Sequence, residues 1–473
     1  MPDSQISRAE AREFLGVRPR FALCVGAVVL LAFLIREYFV LVTVVEIPIR
    51  GDTREYLVYA WNLYHHGIFS SASPAASIPI PDAYRFPGYP WLLALSIWLS
   101  PHGNGWYQLA LQMQVVLGTA TIWLTMLLAR RWLNLGWAIA SGVLLAVWPH
   151  HVAATGALLS EVLFGFTLMV GLYYFARAIE SRHHGLLALA SLAFGYAYLV
   201  NPLIALYPPL LALLIWREKA RKASLFFVGV FLIPVLAFGL RNMTLDQSRV
   251  QASHAGRAAI NLVQGSWPEY HHAWQAQHQG DPGGIQIMRQ IDAEIGLLSG
   301  DPIRGLSLIA HRIRLDPGYY TRWYLWEKPV LLWAWEVRIG PGGVYVVDVK
   351  NSPLDTHPLL RWSTAILMTL NPLLTMLGLG GAVSLLIGGL RHATWAPAAA
   401  LATAALAVYL TAVHTIFQAE PRYATAYRGI EILLIMTCLQ NCWSMYRPGW
   451  SGNPVGAATG AESNGPLANA DVT

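Results

Sequence analysis

The stretch Arg50-Gly51-Asp52-Thr53-Arg54-Glu55-Tyr56 follows directly on a long apolar run. It continues through Ala60-Trp61-Asn62-Leu63 to Tyr84-Arg85-Phe86-Pro87-Gly88-Tyr89-Pro90. Between residues 50 and 85 the chain carries three carboxylates and three arginines. Charges beside a segment apolar enough to span a membrane are costly unless they lie at the water interface. Carboxylates within or beside a membrane span are therefore functional candidates. The alternative interpretation is an amphipathic interfacial loop with ordinary surface charges.

The composition is that of a polytopic membrane protein. The 473 residues are 55% hydrophobic and 12% charged, with a mean hydropathy of +0.43, whereas a soluble domain carries about 25% charge. The formal net charge is +6, but the basic residues lie in short clusters between apolar runs. This arrangement indicates membrane topology and gives no indication of nucleic-acid binding. The three cysteines indicate neither a disulfide framework nor a metal site.

The apolar runs predict an all-α transmembrane bundle of about 10–12 spans, with one larger outer loop. The first run, residues 21–45, contains Arg36, which we expect to reach the interface or a carboxylate inside the bundle. Residues 89–100 are too short to cross and are predicted to form a half-span. The remaining candidate spans are 107–129, 133–149, 156–177, 186–200, 203–216, 223–240, 363–390, 395–414 and 427–445.

Basic clusters predict the orientation of these spans. Arg130-Arg131, Arg177 with Arg182, and residues 217–222 all fall in the cytoplasm if residues 89–100 do not cross. Within the predicted outer loop, residues 300–315 and 317–326 are predicted to form amphipathic helices along the membrane. The predicted division is a cytoplasmic N-terminus (1–20), a transmembrane module (21–241) with a catalytic first outer loop (46–90), an extracytoplasmic loop domain (242–358), C-terminal spans (359–446) and a disordered cytoplasmic tail (447–473).

Under this topology, polar residues from distant parts of the chain gather on the outer face, which predicts one site there. They are Asp52, Asp82, Arg85, His150, His151, Glu161, Asn201, Arg241, Glu420, Arg422 and Tyr423. Several of these residues also have a purely structural interpretation. The two adjacent histidines fit an interface better than a metal site. Glu161 suits the N-terminus of a helix through the helix dipole, and Arg422 could pair with Glu420.

A carboxylate with arginines beside a lipid phase suits transfer of a sugar from a polyprenyl-phosphate carrier. The lipid tail would lie in the membrane while arginines hold the phosphate. The carboxylate would take the proton from an incoming hydroxyl, and an inverting displacement needs only one such base. The sequence has no Gly-rich nucleotide loop, P-loop or nucleophile elbow, so an ATP-driven pump or a soluble nucleotide-sugar enzyme is unsupported.

The first-loop motif resembles that of the GT-C glycosyltransferases. The residues that carry the resemblance are Gly51-Asp52-x-x-x-Tyr56, Ala60-x-Asn62-Leu63, Gly67 and Arg85-x-Pro87-Gly88-Tyr89-Pro90. Ser160-Glu161 and Glu420-x-Arg422-Tyr423 resemble two later motifs of the branch that contains protein O-mannosyltransferases and lipid A aminoarabinose transferases. Asn201-Pro202 stands where many members have Arg-Pro, which leaves Arg85 or Arg241 to make that phosphate contact.

The resemblance implies an inner-membrane glycosyltransferase whose site faces the extracytoplasmic side. Asp52 is the expected general base, and Glu161 is the second candidate catalytic residue. The substrate-binding candidates are Asp82, Tyr84, Arg85, Arg241, Glu420, Arg422 and Tyr423. The expected partners are a polyprenyl-phosphate-linked sugar donor, a lipid, glycan or protein hydroxyl acceptor, and membrane lipids. No cofactor is expected, and the sequence leaves open whether a divalent cation is needed.

Two other functions are consistent with parts of the sequence. A lipid-linked-sugar flippase would use Arg36 and Asp52 along a translocation path, and it should place polar residues through the depth of several helices. A structural subunit of a cell-envelope complex would leave the acidic residue of the first loop without a role.

Overall fold

The computed structural model describes residues 19–76, 78–217, 220–245, 254–391 and 397–446. The predicted tail, and all but the last two residues of the predicted N-terminal segment, lie outside these residues. The helices are α1 (Pro19–Val42), α2 (Asp52–His66), α3 (Gly88–Leu99), α4 (Gly105–Ala129), α5 (Leu135–Ala146), α6 (Pro149–Ala153), α7 (Glu161–Ser181), α8 (His184–Val200), α9 (Tyr207–Arg217), α10 (Arg221–Met243), α11 (His254–Gly265), α12 (Tyr270–His278), α13 (Pro282–Gly300), α14 (Pro302–Leu315), α15 (Pro317–Arg322), α16 (Lys328–Trp333), α17 (Pro353–Thr356), α18 (Pro358–Arg391), α19 (Ala398–Ile416), α20 (Pro421–Ala424) and α21 (Arg428–Tyr446).

The predicted all-α membrane architecture is confirmed. In the described part of the chain, six helices are long and apolar enough to cross a membrane, namely α1, α4, α7, α10, α18 and α19. A seventh candidate is α5 with α6 and the turn that follows, which are bent by 56°. The predicted ten spans correspond to these seven together with α8, α9 and α21. Helices α8 and α9 are shorter, and α21 contains the buried ion pair Arg428–Glu431.

The predicted half-span is the twelve-residue helix α3. The guanidinium of Arg130, just after α4, lies 5.7 Å from the ring of Phe21, near the start of α1. Further along, a Cβ on Gly118 of α4 would lie 3.3 Å from Nε of Arg36 in α1. Helices α1 and α4 therefore run antiparallel. If α3 crossed the membrane between α1 and α4, then α1 and α4 would run parallel. Their antiparallel arrangement therefore agrees with an α3 that does not cross.

The prediction that residues 133–149 form one continuous span is wrong. The helix ends at Ala146, and a short helix in a new direction starts at Pro149. Proline has no N–H to donate and clashes with the preceding turn, so it breaks a helix. His150 and His151 consequently lie beyond the break, in α6, and both are buried.

Arg36 binds the last carbonyls of α5 at this break. Its side chain is fully buried and donates to the carbonyl oxygens of Ala146 (3.1 Å) and Leu145 (3.3 Å). It also lies 2.7 Å from Nδ1 of His151. The prediction that Arg36 reaches the interface or a carboxylate was therefore wrong. A helix end in an apolar interior needs donors for its last carbonyls, and Arg36 supplies them.

The predicted break at Asn201-Pro202 is confirmed. Helix α8 ends at Val200, and the Asn201 side chain accepts a hydrogen bond from Leu203 N as a short 3₁₀ turn begins. The proline again cannot continue the preceding hydrogen-bond ladder. Asn201 therefore has a local capping role at this end of the bundle.

The segment predicted as an outer loop domain is largely helical, with α11 to α17 inside it. The two predicted amphipathic helices correspond to α14 and α15, the latter followed by a π-helical turn at Trp323–Glu327. Helices α11, α12 and α13 were not predicted. They build a small core of their own around Val263, Ala273 and Ile291.

A two-stranded antiparallel pairing ties this segment to the first outer loop. Strand β1 (Val44–Val45) follows α1, and strand β2 (Val349–Lys350) precedes α17. Beside it, Arg50 Nη1 binds Asp348 at 2.6 Å. The C-terminal end of the outer segment is thereby held against the start of the loop that carries Asp52.

Glycines permit the closest contact between α18 and α21. A Cβ added to Gly381 would lie 2.0 Å from the carbonyl oxygen of Leu434, whereas a Cβ on Gly388 of the same helix would meet nothing within 4 Å. We expect Gly381→Ala to lower the apparent melting temperature in detergent by several degrees, because overpacking costs about 1–3 kcal/mol. Gly388→Ala should leave it unchanged or raise it, since alanine favours helix. Equal melting temperatures for the two variants would contradict this account of the contact.

Candidate functional site

The site begins at the N-terminus of α2, where the predicted catalytic loop leaves the membrane-spanning α1. Asp52 is the first residue of α2, and Glu55 lies in the same first turn. The helix dipole favours carboxylates at this end. Gly51, just before the helix, has φ +51°, which a residue with a Cβ rarely adopts. Glycine at this position therefore allows the chain to turn sharply into α2.

Two arginines from distant parts of the chain hold the Asp52 carboxylate. Arg85 Nη2 lies 2.5 Å from Oδ1 of Asp52, and Arg422 Nη2 lies 2.9 Å from Oδ2. The side chain of Asp52 remains 28% exposed, whereas those of Arg85 and Arg422 are 3% and 13% exposed. The carboxylate thus faces accessible space while its two partners form the wall behind it.

Arg85 is fixed on several sides. Its Nε and Nη2 contact the carboxylate of Glu55, and its guanidinium lies 4.8 Å from the ring of Tyr56 and 5.8 Å from that of Tyr84. Tyr84 also lies 5.6 Å below the guanidinium of Arg257. An arginine stacked on aromatic rings loses little further freedom when it binds an anion. Arg85 therefore contacts Glu55 and two aromatic rings in addition to its ion pair with Asp52.

Arg422 connects Asp52 to the second predicted catalytic residue. Its Nε lies 2.6 Å from Oε1 of Glu161, the first residue of α7. The proposed pairing of Arg422 with Glu420 is wrong, because the segment after α19 turns the two side chains toward different partners. Oε2 of Glu161 has no hydrogen-bond partner among the described residues. It lines a cavity of about 20 Å³, large enough for one water molecule.

The charges of this cluster nearly balance. Asp52, Glu55 and Glu161 face Arg85 and Arg422, with Arg257 at 4.0 Å from Glu55. Burial alone would raise the pKa of Asp52, but the charges of Arg422, Arg85 and Arg257 hold that pKa well below its usual range. Asp52 is therefore ionised throughout the ordinary pH range.

Asp82 has a different environment from Asp52. Its buried carboxylate accepts hydrogen bonds from the hydroxyl of Tyr59, from the hydroxyl and backbone N–H of Ser71 (2.6 Å for the latter), and from Tyr84 N at 3.1 Å. Burial, followed by the charge of Asp82, raises the pKa of Tyr59, which thus remains a donor. These bonds fold the loop between α2 and α3 and engage both oxygens of the Asp82 carboxylate.

Arg241, at the end of α10, also supports this loop. Its guanidinium donates to the carbonyl oxygens of Asp82 and of Phe69, the latter at 3.0 Å. It lies 5.5 Å from the Phe69 ring. The structure thus brings Arg85 and Arg422 together at Asp52, whereas Arg241 contacts the neighbouring loop between α2 and α3.

Glu420 and Tyr423 position the segment that carries Arg422. The fully buried Glu420 accepts hydrogen bonds from Arg338 N (2.6 Å) and Ile339 N (3.3 Å), and its other oxygen lies 2.9 Å from Nε2 of His271. Tyr423 donates to Gln418 Oε1 and stacks on His414. Both residues therefore contact protein groups that fix the backbone beside Arg422.

Lys328 adds a further support that the sequence did not predict. It is buried, and its ammonium donates to the carbonyl oxygens of Gly265 (3.0 Å) and Phe417. A Cβ on Gly265 would lie 2.1 Å from the Phe417 oxygen, so the two backbones touch here.

Of the residues in the cluster, Glu55 and Tyr56 lie within the first-loop motif. Arg257 and Lys328 carry no sequence signal that distinguishes them from ordinary basic residues.

The candidate residues do not form an evident metal site. Across the described ranges, no group of three or more His, Cys, Asp or Glu side chains could hold a metal ion. His150, for example, has its Nε2 2.6 Å from the carbonyl oxygen of Trp335. The cluster is instead made of carboxylate–arginine pairs. Such a pair can recognise an anion when the arginine exchanges its carboxylate partner for that anion.

Fold and site together define the class of this chain. It is a polytopic, all-α membrane protein with a carboxylate–arginine cluster where α2, α7 and the segment before α21 meet. Residues 81–239 match the family model described as dolichyl-phosphate-mannose-protein mannosyltransferase, a stretch that includes Arg85, Glu161 and Asn201. The resemblance to GT-C glycosyltransferases that depend on polyprenyl-phosphate sugars is therefore confirmed. A comparison with curated protein sequences gave no match.

Several solved structures are similar in outline. The oligosaccharyltransferase of Archaeoglobus fulgidus, in complex with zinc and sulfate, is 13% identical with a TM-score of 0.49 and covers 89% of this chain. The chain spans about half of that enzyme's length, 49%. ArnT from Cupriavidus metallidurans bound to undecaprenyl phosphate is 15% identical with a TM-score of 0.34, covering 89% of this chain and 78% of its own.

Proposed function

We propose that this chain is an integral-membrane glycosyltransferase of the cytoplasmic membrane. It transfers a sugar, with inversion, from a polyprenyl-phosphate carrier to a hydroxyl acceptor on the extracytoplasmic face. The match of residues 81–239 to a family that uses a dolichyl-phosphate sugar supports the donor class. The single observation that carries the proposal is Asp52, partly exposed and held by Arg85 and Arg422 about ten residues after the end of α1.

The proposed reaction is one displacement. The acceptor oxygen forms a bond to the anomeric carbon as the bond from that carbon to the phosphate oxygen breaks. The hydroxyl proton passes to Asp52, and the bonding electrons leave with the polyprenyl phosphate, whose charge the arginines stabilise. A single base on the face opposite the leaving group accounts for inversion.

The ion pairs of Asp52 set a condition on this mechanism. A carboxylate with a strongly lowered pKa is a weak base, since proton-transfer efficiency follows basicity. We propose that the donor phosphate draws Arg85 and Arg422 toward itself. Each arginine can pair with phosphate as well as with carboxylate. As these charges move away from Asp52, its pKa rises toward the usual value, so the base becomes active only when donor is bound.

One observation weighs against the flippase alternative. That function would use Arg36 within a polar path, but the Arg36 side chain is fully buried and its guanidinium binds carbonyls of α5 and His151. These contacts supply a structural reason for an arginine inside α1. Arg36 is therefore not available to act together with Asp52 in a polar path through α1.

The orientation can be measured with reporter fusions. A reporter that fluoresces only in the cytoplasm should be bright when fused after Arg182, between α7 and α8, and dark when fused after Gly340, between α16 and β2. The expectation follows from the basic clusters, which favour the cytoplasmic side of a membrane. The reverse pattern would place Asp52 in the cytoplasm and contradict an extracytoplasmic reaction.

The function itself is tested by mass spectrometry of lipid-linked sugars and envelope glycans from cells with and without this protein. Loss of the protein should remove one sugar from an envelope glycan, lipid or protein and increase the pool of the corresponding polyprenyl-phosphate sugar. Restoring the wild-type chain should reverse both changes. Unchanged glycans together with a changed distribution of lipid-linked sugar across the membrane would favour the flippase.

A further inference from the structure

A second cavity, of about 890 Å³, lies at the other end of the bundle from Asp52. It is bordered by the turn from α7 to α8, by the start of α10, and by the facing ends of α18 and α19. Its described wall is mainly apolar, and Phe175, Leu187, Ile215 and Ala398 are among the residues that form it.

The length of α7 separates this cavity from the candidate active site. Glu161 begins the helix and Ser181 ends it, so its 21 residues span about 31 Å. That is the thickness of the hydrocarbon core of a bilayer. Arg131 Nη1 also binds Glu180 at 2.6 Å, which places the ends of α4 and α7 side by side. The cavity therefore opens at the membrane face where α1 begins, opposite the face of Asp52.

Cations border this apolar cavity. Arg182 lies at the end of α7, and Arg221 and Lys222 lie at the start of α10. Among the described residues, no carboxylate forms an ion pair with any of the three. Arg221 stacks on Trp216 at 5.3 Å. These cations stand in contrast to Arg85 and Arg422, whose charges are neutralised within the protein.

The histidines at this turn add hydrogen-bond donors. Nδ1 of His183 accepts from Gly185 N (3.1 Å) and Leu186 N (3.3 Å) and so caps α8. An acceptor nitrogen cannot also carry the proton, so Nε2 of His183 is the N–H in the neutral ring. His184 lines the same cavity and lies 6.0 Å from the ring of Phe226.

We propose that this cavity binds an anionic membrane lipid with a phosphate in its head group, at a site separate from the donor site. The apolar wall would hold a segment of the tail, while Arg182, Arg221 and Lys222 contact the phosphate at the membrane surface. A free nucleotide or sugar phosphate would leave the apolar wall in contact with water, and a neutral lipid would leave the three cations unpaired. Juxtamembrane cations attract anionic lipids at this interface.

Lipid binding to the purified full-length chain in neutral detergent tests the proposal, read by native mass spectrometry. The probes are phosphatidylglycerol, phosphatidylcholine with the same acyl chains, a polyprenyl phosphate and inorganic phosphate. Phosphatidylglycerol or the polyprenyl phosphate should bind in preference to phosphatidylcholine, and comparing them identifies the natural class of tail. Equal occupancy by phosphatidylcholine, or displacement of lipid by inorganic phosphate at equal concentration, would overturn the assignment.

Variants locate the binding within the cavity. The double variant Arg182→Gln/Lys222→Gln should weaken phosphatidylglycerol binding about 30-fold, since each cation near the surface contributes about fivefold. Arg20→Gln is the matched control, because it removes a cation from the same face outside the cavity, and it should change binding less than about twofold. Equal effects of the double variant and the control would mean only general charge attraction and would overturn the site.

A third variant tests the tail. Ala398→Trp fills part of the apolar wall without changing charge, and it should lower retention of phosphatidylglycerol while inorganic phosphate binding stays as in the wild type. Retention equal to that of the wild type would exclude the cavity as the tail site. None of these residues contacts Asp52, so sugar transfer measured in the same preparations separates failure of this proposal from failure of the proposed transferase.

Discussion

Asp52→Asn is expected to abolish almost all sugar transfer while leaving membrane insertion, folding and donor binding intact. The substitution keeps the size and shape of the side chain, and an amide oxygen can still accept from Arg85 or Arg422. It removes the carboxylate that takes the acceptor proton. Loss of a general base lowers the rate by about 10²–10⁴-fold. The measurement is transfer from a polyprenyl-phosphate sugar in proteoliposomes, with donor binding recorded on the same preparation.

Asp348→Asn is the matched control for this variant. Asp348 pairs with Arg50 on the same side of the protein, but its side chain is 46% exposed and lies outside the cluster. An exposed ion pair contributes about 0–1 kcal/mol, so transfer should change little. Wild-type transfer rates in a folded Asp52→Asn protein would exclude Asp52 as the base and favour the flippase.

Arg422→Ala is expected to have the second largest effect, weakening donor binding at least tenfold. Arg422 bonds both Asp52 and Glu161, so its removal leaves two like charges without their shared partner. A charge-assisted hydrogen bond contributes about 1.5–3 kcal/mol, which corresponds to about 10- to 150-fold in binding. Arg422→Lys should restore little, because an ammonium cannot reproduce the planar contacts of a guanidinium. Donor binding is measured by titration with the lipid-linked sugar.

Other arginines separate recognition from support. Arg85→Ala should resemble Arg422→Ala, since Arg85 is the other partner of Asp52. Arg241→Ala should act mainly through the loop whose carbonyls it binds. Arg304→Ala, a control whose side chain is 79% exposed, should bind donor normally. If Arg85→Ala, Arg241→Ala and Arg422→Ala all bind donor as the wild type does, the arginine assignment is wrong.

Glu161→Gln completes this comparison. It should cause a milder loss than Asp52→Asn if Glu161 positions Arg422 and takes no proton. In the double variant Glu161→Gln/Arg422→Ala the two losses should not add, because contacting residues share one interaction. Additive losses would show that the two side chains act independently, contrary to the 2.6 Å contact between them.

The sequence by itself determined the class of fold and much of its layout. Apolar runs of membrane length, the Asn201-Pro202 break and the short run at residues 89–100 depend only on neighbouring residues. Such patterns can therefore be read directly from the chain. The first-loop motif also indicated Asp52, because a carboxylate placed directly after a span is costly without a function.

Only the tertiary structure decided which charges pair. Glu420 is two residues from Arg422, yet Arg422 bonds Asp52 and Glu161, which lie hundreds of residues away in sequence. Arg36 binds the end of α5, and β1 pairs with β2 although helices α2 to α16 lie between the two strands in sequence. The same structure shows that Asp82 and Arg241 bond groups of the loop between α2 and α3. The physical reason is that a charge in an apolar bundle pairs with whatever donor or acceptor folding brings within about 3 Å, and that distance is set by helix packing, which local sequence patterns do not contain.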